Sequence, residues 1–323
     1  MADFEGVDYY ALDGLLSDEQ KLVRDTVREF VNDKILPVID EHQREGTFPV
    51  EALPGMAAMG LLGANLEGYG LPGLDNISYG LILQELERGD SGLRSFVSVQ
   101  GALCMYPIWR YGSEAQKQQW LPAMGKGDII ACFGLTEPDA GSDPGAMSTC
   151  AELDGDEWVL NGVKYWITNG TIAQLAIVWA KTDKGIRGFL VPTNTPGFSA
   201  NKVTGKYSLR VSDTAELVLQ DCRISADNVL PDAEGLKGPL TCLNQARYGI
   251  AWGAVGAAMA CYDEALRYAK NRIAFGRPIA ATQLMQELLV ECVTEITKAQ
   301  LMCLRLGQLK EAGTVTPQQV SMA

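Results

Sequence analysis

The spacing of apolar positions along the chain changes twice. In the first part, Leu22, Val23, Val27, Phe30, Val31 and Ile35 recur at helical spacing behind Ser17-Asp18-Glu19-Gln20. That tetrapeptide is a capping box, in which a hydroxyl and a side-chain amide satisfy the first free N–H groups of a helix. A second amphipathic helix is predicted over residues 79–88, and a third begins after Gly112-Ser113 with Ser113 as its cap. From about residue 128 to 230 the period is two. Glu157-Trp158-Val159-Leu160 and Val163-Lys164-Tyr165-Trp166-Ile167-Thr168 flank Asn161-Gly162 and predict a hairpin. Asn-Gly supplies the two positive-φ residues of a type I′ turn. A buried apolar strand is expected at 129–133 and further strands at 175–180, 188–191 and 215–219. Gly and Pro punctuate them as in a small barrel or sandwich. From about 240 the helical period returns, with one long helix over 243–272 and a second over 283–310. The face carrying Gly249, Gly253, Gly256, Ala257 and Ala260 is small enough to bring another helix close.

The order predicts an α+β protein: a helical domain over 1–127, a β-barrel or sandwich domain over 128–235, and a helical bundle over 236–323. Thr316-Pro317-Gln318-Gln319 combines a capping box with Pro at the first helical position. The helix it starts has about six residues before the last one, against the roughly 12–15 that an isolated helix needs. The bundle therefore reads as incomplete and the chain as truncated inside a third helix, with a frayed natural tail as the other reading.

Composition narrows the chemistry. The 323 residues are 47% apolar and 21% charged, with 27 basic and 40 acidic side chains, a net charge of −13. That balance excludes a general electrostatic grip on nucleic acid or on an anionic membrane. It leaves room for an anionic substrate held by a few local arginines. One histidine, His42, rules out a multi-histidine metal site, and in Glu41-His42-Gln43-Arg44-Glu45 it reads as a solvated helix end. The eight cysteines form no C-x-x-C pair and read as small buried apolar residues of a reducing compartment. No apolar run approaches 18 residues, so no membrane insertion is expected, and the acidic N-terminus lacks signal character, which points to the cytosol.

Two segments carry candidate chemistry. Gly68-Tyr69-Gly70-Leu71-Pro72-Gly73 fits G-x-G-x-x-G in form but lacks a preceding strand, so it is a loop. Phe133-Gly134-Leu135-Thr136-Glu137-Pro138-Asp139-Ala140-Gly141-Ser142-Asp143 follows a buried strand with small, polar and hydroxyl residues. Such a loop either turns N–H groups and hydroxyls toward a phosphate or a heteroaromatic ring, or is a generic surface loop. Trp166-Ile167-Thr168 offers a flat ring beside a hydroxyl, with a core tryptophan as the alternative.

The stretch from Gly134 to Asp143 resembles the signature of the acyl-CoA dehydrogenase flavoproteins. Trp166-Ile167-Thr168-Asn169-Gly170, Ser212-Asp213-Thr214-Ala215-Glu216-Leu217 and Arg272-Ile273-Ala274-Phe275-Gly276 match in the same order and spacing. Glu85-Leu86-Glu87-Arg88-Gly89-Asp90-Ser91-Gly92-Leu93-Arg94-Ser95 and the stretch from Leu243 to Gly253 look most like the members that act on glutaryl-CoA. The resemblance implies FAD as cofactor, a homotetramer, and electrons passed to electron-transfer flavoprotein. It implies flavin contacts from Phe133, Leu135, Thr136, Gly141 and Ser142, with Thr136 toward the pyrimidine ring and Ser142 at the phosphates and the substrate edge. Trp166, Ile167 and Thr168 would flank the isoalloxazine. Arg272, Phe275 and Gln283 would reach the adenosine-diphosphate half across a subunit boundary.

For the substrate, the resemblance implies Glu87, Arg94, Ser95, Ser142 and, along the pantetheine arm, Leu240, Asn244 and Arg247. A glutaryl chain ends in a carboxylate that is costly to bury unpaired, and Arg94 is the matching countercharge. Glu87 lies two helical turns earlier, on the same face if the helix continues. The alternative is a weak intrahelical ion pair among Glu87, Asp90 and Arg94. The implied reaction is oxidative decarboxylation to crotonyl-CoA and CO2. The family's catalytic glutamate and Gly-Gly cofactor segment have no match. Glu287, Glu291 and Glu295 lie in the second long helix, away from the family's position, and no catalytic base is assigned. Straight- or branched-chain acyl-CoA dehydrogenation, an acyl-CoA oxidase, and a noncatalytic acyl-CoA or flavin binder are the competing readings.

Overall fold

The computed structural model describes Phe4 and residues 6–323. Helices α1 (Asp18–Phe30), α2 (Ile39–Glu45), α3 (Leu53–Ala58), α4 (Asn76–Gly89), α5 (Ser91–Ser98), α6 (Tyr106–Tyr111) and α7 (Glu114–Gly125) come first. Strands β1 (Ala131–Gly134), β2 (Cys150–Asp154), β3 (Glu157–Thr168), β4 (Leu175–Thr182), β5 (Gly185–Pro192), β6 (Phe198–Lys202) and β7 (Thr214–Ser225) follow. The chain continues through α8 (Lys237–Asn271), the short pair β8 (Ile273–Ala274) and β9 (Arg277–Pro278), α9 (Gln283–Glu311) and α10 (Pro317–Met322). The capping boxes at Ser17, Ser113 and Thr316 all form, because each needs only a side chain and a backbone N–H three residues apart.

The residues divide into two compact units. One comprises residues up to Pro37, Asp75–Arg94 and Arg247–Ala323, and is built from α1, α4, most of α8, and α9. Here α4 departs from the expected amphipathic pattern. From Ile77 to Leu86, and again at Arg88, its residues are all buried. The polar ones are kept by pairing. Glu85, fully enclosed, accepts Nε (3.1 Å) and Nη2 (2.8 Å) of Arg28 and Nε of Arg88 (2.8 Å). Arg88 also donates to Asn32 Oδ1 at 2.9 Å, and both guanidiniums lie over the Phe4 ring. A buried charge persists only where paired and hydrogen-bonded, and this one is both. The small face of α8 does what its composition implies: a Cβ on Gly256 would lie 1.9 Å from the Gln84 carbonyl oxygen, so only glycine permits this approach of α8 to α4.

The other unit comprises Val38–Leu74 and Ser95–Ala246 and contains the mixed sheet, in the order β1-β4-β2-β3-β7-β6, with β5 also on β4. β1 runs parallel to β4; β3 is antiparallel to β2 and β7. β4 is buried from Leu175 to Ala180 because both sheet faces are covered. Leu175, Ile177 and Trp179 enter one apolar cluster with Leu121 and Met124, while Ala176, Val178 and Ala180 enter another with Leu217 and Leu219.

The hairpin expected at Asn161-Gly162 is not there. β3 runs unbroken through both residues, and the turn lies upstream, at Gly155-Asp156, where Asp154 pairs with Glu157. Asn161-Gly162 instead forms an irregularity in the β3–β7 ladder. Gly162 has φ of 149°, and a Cβ there would lie 2.4 Å from Thr149 Oγ1. The Asn161 side chain is spent on Asp221, accepting its N–H at 2.8 Å. Contacts far along the chain decided the matter. His42 lies in the last turn of α2, as expected, but is half-buried and tied down instead of free in solvent: its ring nitrogens lie 2.8 Å from Thr47 Oγ1 and 2.9 Å from Glu51 Oε1. Two of the cysteines, Cys261 and Cys292, are exposed, contrary to the buried apolar role expected of all eight. The Gly68–Gly73 segment is a loop. No helix of the described residues is long and apolar enough to cross a membrane.

Candidate functional site

The loop after β1 is anchored by an ion pair that its residue types alone did not announce. Lys164 points inward from β3 with no exposure and donates from Nζ to Glu137 Oε1 (2.9 Å) and to the Leu135 carbonyl (3.1 Å). Glu137 also accepts Ser148 N–H (2.6 Å), Ser148 Oγ–H (2.8 Å) and Thr149 N–H (2.9 Å). Burial by itself would raise the Glu137 pKa, but these donors and the ammonium outweigh it and hold the carboxyl down at about 2. Burial pushes Lys164 below the ordinary lysine value, with Glu137 opposing. The pair fixes Leu135-Thr136-Glu137 against the sheet while Gly141 and Ser142 stay exposed beyond it. Phe133 and Leu135 are buried in the apolar cluster, so their side chains serve packing here.

Next to that loop the β3 backbone is strained. Trp166 has φ of 61°, in a region that costs a bulky residue on the order of 1–3 kcal/mol. The β3–β7 register shifts between Lys164 and Ile167, and the resulting bulge turns the indole outward, 57% exposed and edge-on to Tyr165. Fixed contacts hold the strain. Tyr165 N–H donates to the Thr136 carbonyl at 2.8 Å, and Asn169 N–H to the Asp213 carbonyl at 3.0 Å. The Asp213 carboxylate accepts Thr171 N–H (2.9 Å) and Oγ–H (2.6 Å). Trp166 is thus not a core tryptophan. Ile167, one residue on, is buried and packs.

A cavity of about 530 Å³ opens there, lined by Ser95, Trp166, Thr168, Lys206, Ser212 and Thr214 among others. Its volume is that of a small-molecule site. Lys206 is tied down by the carbonyls of Leu209 (2.7 Å) and Ser212 (2.5 Å) and by Thr214 Oγ1 (2.8 Å). Burial lowers its pKa, with Asp213 opposing and Lys202 and Arg210 adding to the fall. The structure therefore brings together Ser95, Trp166 and Thr168 from the expected set, while Thr136 meets β3 through its carbonyl, which accepts the Tyr165 N–H. It adds Lys206, Ser212 and Thr214 to the lining, and Glu137, Lys164 and Asp213 as supports. The signal for Lys164 was present, since an isolated lysine occupies an inward position of an alternating strand.

The remaining candidates are arranged as follows. The helix carrying Glu87 does not continue to Arg94. It ends at Gly89; Asp90 is extended, and α5 starts at Ser91. Asp90 accepts the Gly92 N–H at 2.6 Å and so caps the turn. Glu87 and Arg94 nevertheless meet: Arg94 Nε donates to Glu87 Oε2, with side chains only 9% and 12% exposed. Neither Nη atom of Arg94 has a hydrogen-bond partner among the described residues. Leu240, Asn244 and Arg247 follow one another at spacings of four and three on the continuous helix α8 and share one face. Arg272, Phe275 and Gln283 cluster at the β8–β9 hairpin and the start of α9. Phe275, fully exposed with φ of 52°, sits beside Gly276 at the hairpin tip, while Ile279 N–H donates to the Arg272 carbonyl at 2.9 Å.

Helices, a mixed sheet and further helices, with a ring and hydroxyls presented into a cavity, define a small-molecule-binding protein of mixed class. Sequence models of the acyl-CoA dehydrogenase N-terminal, middle and C-terminal domains match residues 17–128, 132–222 and 233–323. The chain belongs to the acyl-CoA dehydrogenase family. It is similar to a glutaryl-CoA dehydrogenase from Mycobacterium smegmatis, solved in complex with FADH2, at 49% identity and a TM-score of 0.96, covering 98% of this chain and 82% of that one. It is also similar to the mitochondrial short-chain specific acyl-CoA dehydrogenase of Rattus norvegicus, 39% identical over 303 residues, which are 92% of this chain and 74% of the relative. Butyryl-CoA dehydrogenase from Megasphaera elsdenii is a third, at 33% identity and a TM-score of 0.91, covering 95% of this chain and 83% of the other.

Proposed function

We propose that this chain binds FAD and takes part in the oxidative decarboxylation of glutaryl-CoA to crotonyl-CoA and CO2, with electrons passed to electron-transfer flavoprotein. The residues present suit the cofactor: an indole held outward by a strained bulge, next to the hydroxyls of Thr168, Ser212 and Thr214, in a cavity of about 530 Å³. Trp166, Ile167 and Thr168 would hold the ring system and Thr136 its pyrimidine edge. Phe133, Leu135 and Gly141 would shape the loop against it, and Ser142 would meet the phosphates and the substrate edge. Held by these residues, FAD would supply the acceptor for a hydride leaving the β carbon of the thioester. Arg272, Phe275 and Gln283 would reach the adenosine-diphosphate half of a cofactor in a neighbouring subunit of a homotetramer. That assembly would also cover the exposed Leu284, Leu288 and Val290 of α9.

The observation that carries the dicarboxylic reading is the Arg94 guanidinium. It is held by Glu87 through Nε, so its two Nη groups are left to take a second carboxylate in a charge-assisted, bidentate manner. Ser95 adds a hydroxyl, and Leu240, Asn244 and Arg247 would lie along the pantetheine arm. Removal of the α proton is assigned to no residue of this chain; Glu287, Glu291 and Glu295 are exposed along α9. Binding and turnover are therefore separate readouts. The FAD-loaded chain should bind glutaryl-CoA more tightly than butyryl-CoA in titrations followed by the flavin spectrum. Preference for butyryl-CoA would replace this reading with the short-chain one that the 39% identical relatives favour.

A further inference from the structure

Gly253 lies on the small face of α8, buried, opposite the Glu87–Arg94 pair. A Cβ built there would fall 2.6 Å from Glu87 Oε2 and 3.2 Å from both Arg94 Nε and Glu87 Cδ. The atoms in the way are the ends of two long side chains, unlike the backbone oxygen that blocks Gly256. An alanine at 253 is thus accommodated without parting the helices, but only if the Glu87 carboxylate retreats by ~0.8 Å to reach ordinary contact at 3.4 Å. That retreat pulls on the Glu87–Arg94 bond, which orients the guanidinium.

We propose that Gly253 is a specificity-determining positioning residue: its missing side chain is the space in which Glu87 holds Arg94 with both Nη groups turned to the distal carboxylate of a dicarboxylic acyl thioester. The inference rests on the glutaryl reading above and deepens it. Position 253 touches no substrate atom in this account; it acts through Glu87. A monocarboxylic acyl chain has no use for the guanidinium, so the effect is confined to dicarboxylic ligands.

The test is a double-mutant cycle on the FAD-loaded chain, with glutaryl-CoA and butyryl-CoA dissociation constants read from flavin spectral titration. Gly253→Ala should weaken glutaryl-CoA about tenfold and leave butyryl-CoA within about threefold. In a Glu87→Ala background, where the carboxylate no longer occupies the space, adding Gly253→Ala should change neither ligand further. An equal loss on both ligands, no loss on glutaryl-CoA, or an undiminished effect in the Glu87→Ala background would overturn the proposal. If Gly253→Ala alone loses helix content or flavin, recovery in the double variant supports it, and continued loss assigns the clash to backbone and refutes it. A wild-type chain that prefers butyryl-CoA removes the glutaryl reading and this inference with it. A wild-type preference for glutaryl-CoA that Gly253→Ala leaves intact removes this inference alone.

Discussion

Replacing Lys164 by Met strands a carboxylate. Glu137 is 5% exposed, and its ammonium partner is wholly enclosed, so no water takes the place of Nζ. Breaking a buried pair from one side typically costs about 3–5 kcal/mol. Glu137 keeps three donors, from Ser148 N, Ser148 Oγ and Thr149 N, which lowers the penalty, and the Leu135 carbonyl loses its bond to Nζ, which adds about 1 kcal/mol. The expected cost is about 3 kcal/mol at pH 7. The pH dependence is specific. The folded carboxyl titrates near 2, below its ordinary 4.5, so its contribution is fully present above about 4.5 and is lost as pH falls through 2. Lys164 is one of the causes of that depression, so the variant's carboxyl takes up its proton at higher pH. The gap between wild type and Lys164→Met should therefore narrow as pH falls from 7 to 3. Urea unfolding of the two proteins at both pH values, followed by circular dichroism, measures it. A gap under about 1 kcal/mol at pH 7, or one that does not shrink at pH 3, would refute the reasoning.

Three further outcomes are expected. Arg94→Ala should weaken glutaryl-CoA binding about a hundredfold while butyryl-CoA changes little, read by the same flavin titration; equal losses would strip Arg94 of its role in substrate choice. Trp166→Gly should leave the stability of the FAD-free chain within about 1 kcal/mol, since relief of the positive φ offsets the lost Tyr165 contact, yet raise the FAD dissociation constant at least about tenfold by fluorescence quenching. Unchanged FAD affinity would place the flavin elsewhere. Gly256→Ala should destabilise the helical unit by about 3 kcal/mol or more in urea, because its Cβ meets the Gln84 carbonyl oxygen at 1.9 Å and no rotamer escapes a backbone atom. A near-neutral result would show that α8 and α4 are not packed this closely.

Much of the chain was legible from local pattern. The three capping boxes formed because their partners lie three residues apart; α9 has the ends that periodicity and punctuation implied, and α8 ends where expected but starts at Lys237, six residues before the expected 243. Trp166 and Thr168, which the resemblance singles out, both line the cavity, and the Thr136 carbonyl accepts the Tyr165 N–H next to them. What local pattern could not convey was set by distance along the chain. Asn161-Gly162 has the chemistry of a tight turn, but Thr149 and Asp221 made it a bulge in a straight strand. Glu87 and Arg94 share a face by spacing only if the helix continues; it stops at Gly89, and they meet across a break that Asp90 caps.

Sequence by itself determined the family, the order of the helical and β-rich blocks, and the helix starts marked by a capping box, since these depend on period and on neighbours within one turn. Tertiary structure decided which polar groups are buried and with whom. Lys164 and Glu137, 27 residues apart, are two ordinary charges until the fold removes water from around them. Only then does each require the other, because an ion deprived of solvent is kept in a protein interior solely by the partners that the fold delivers.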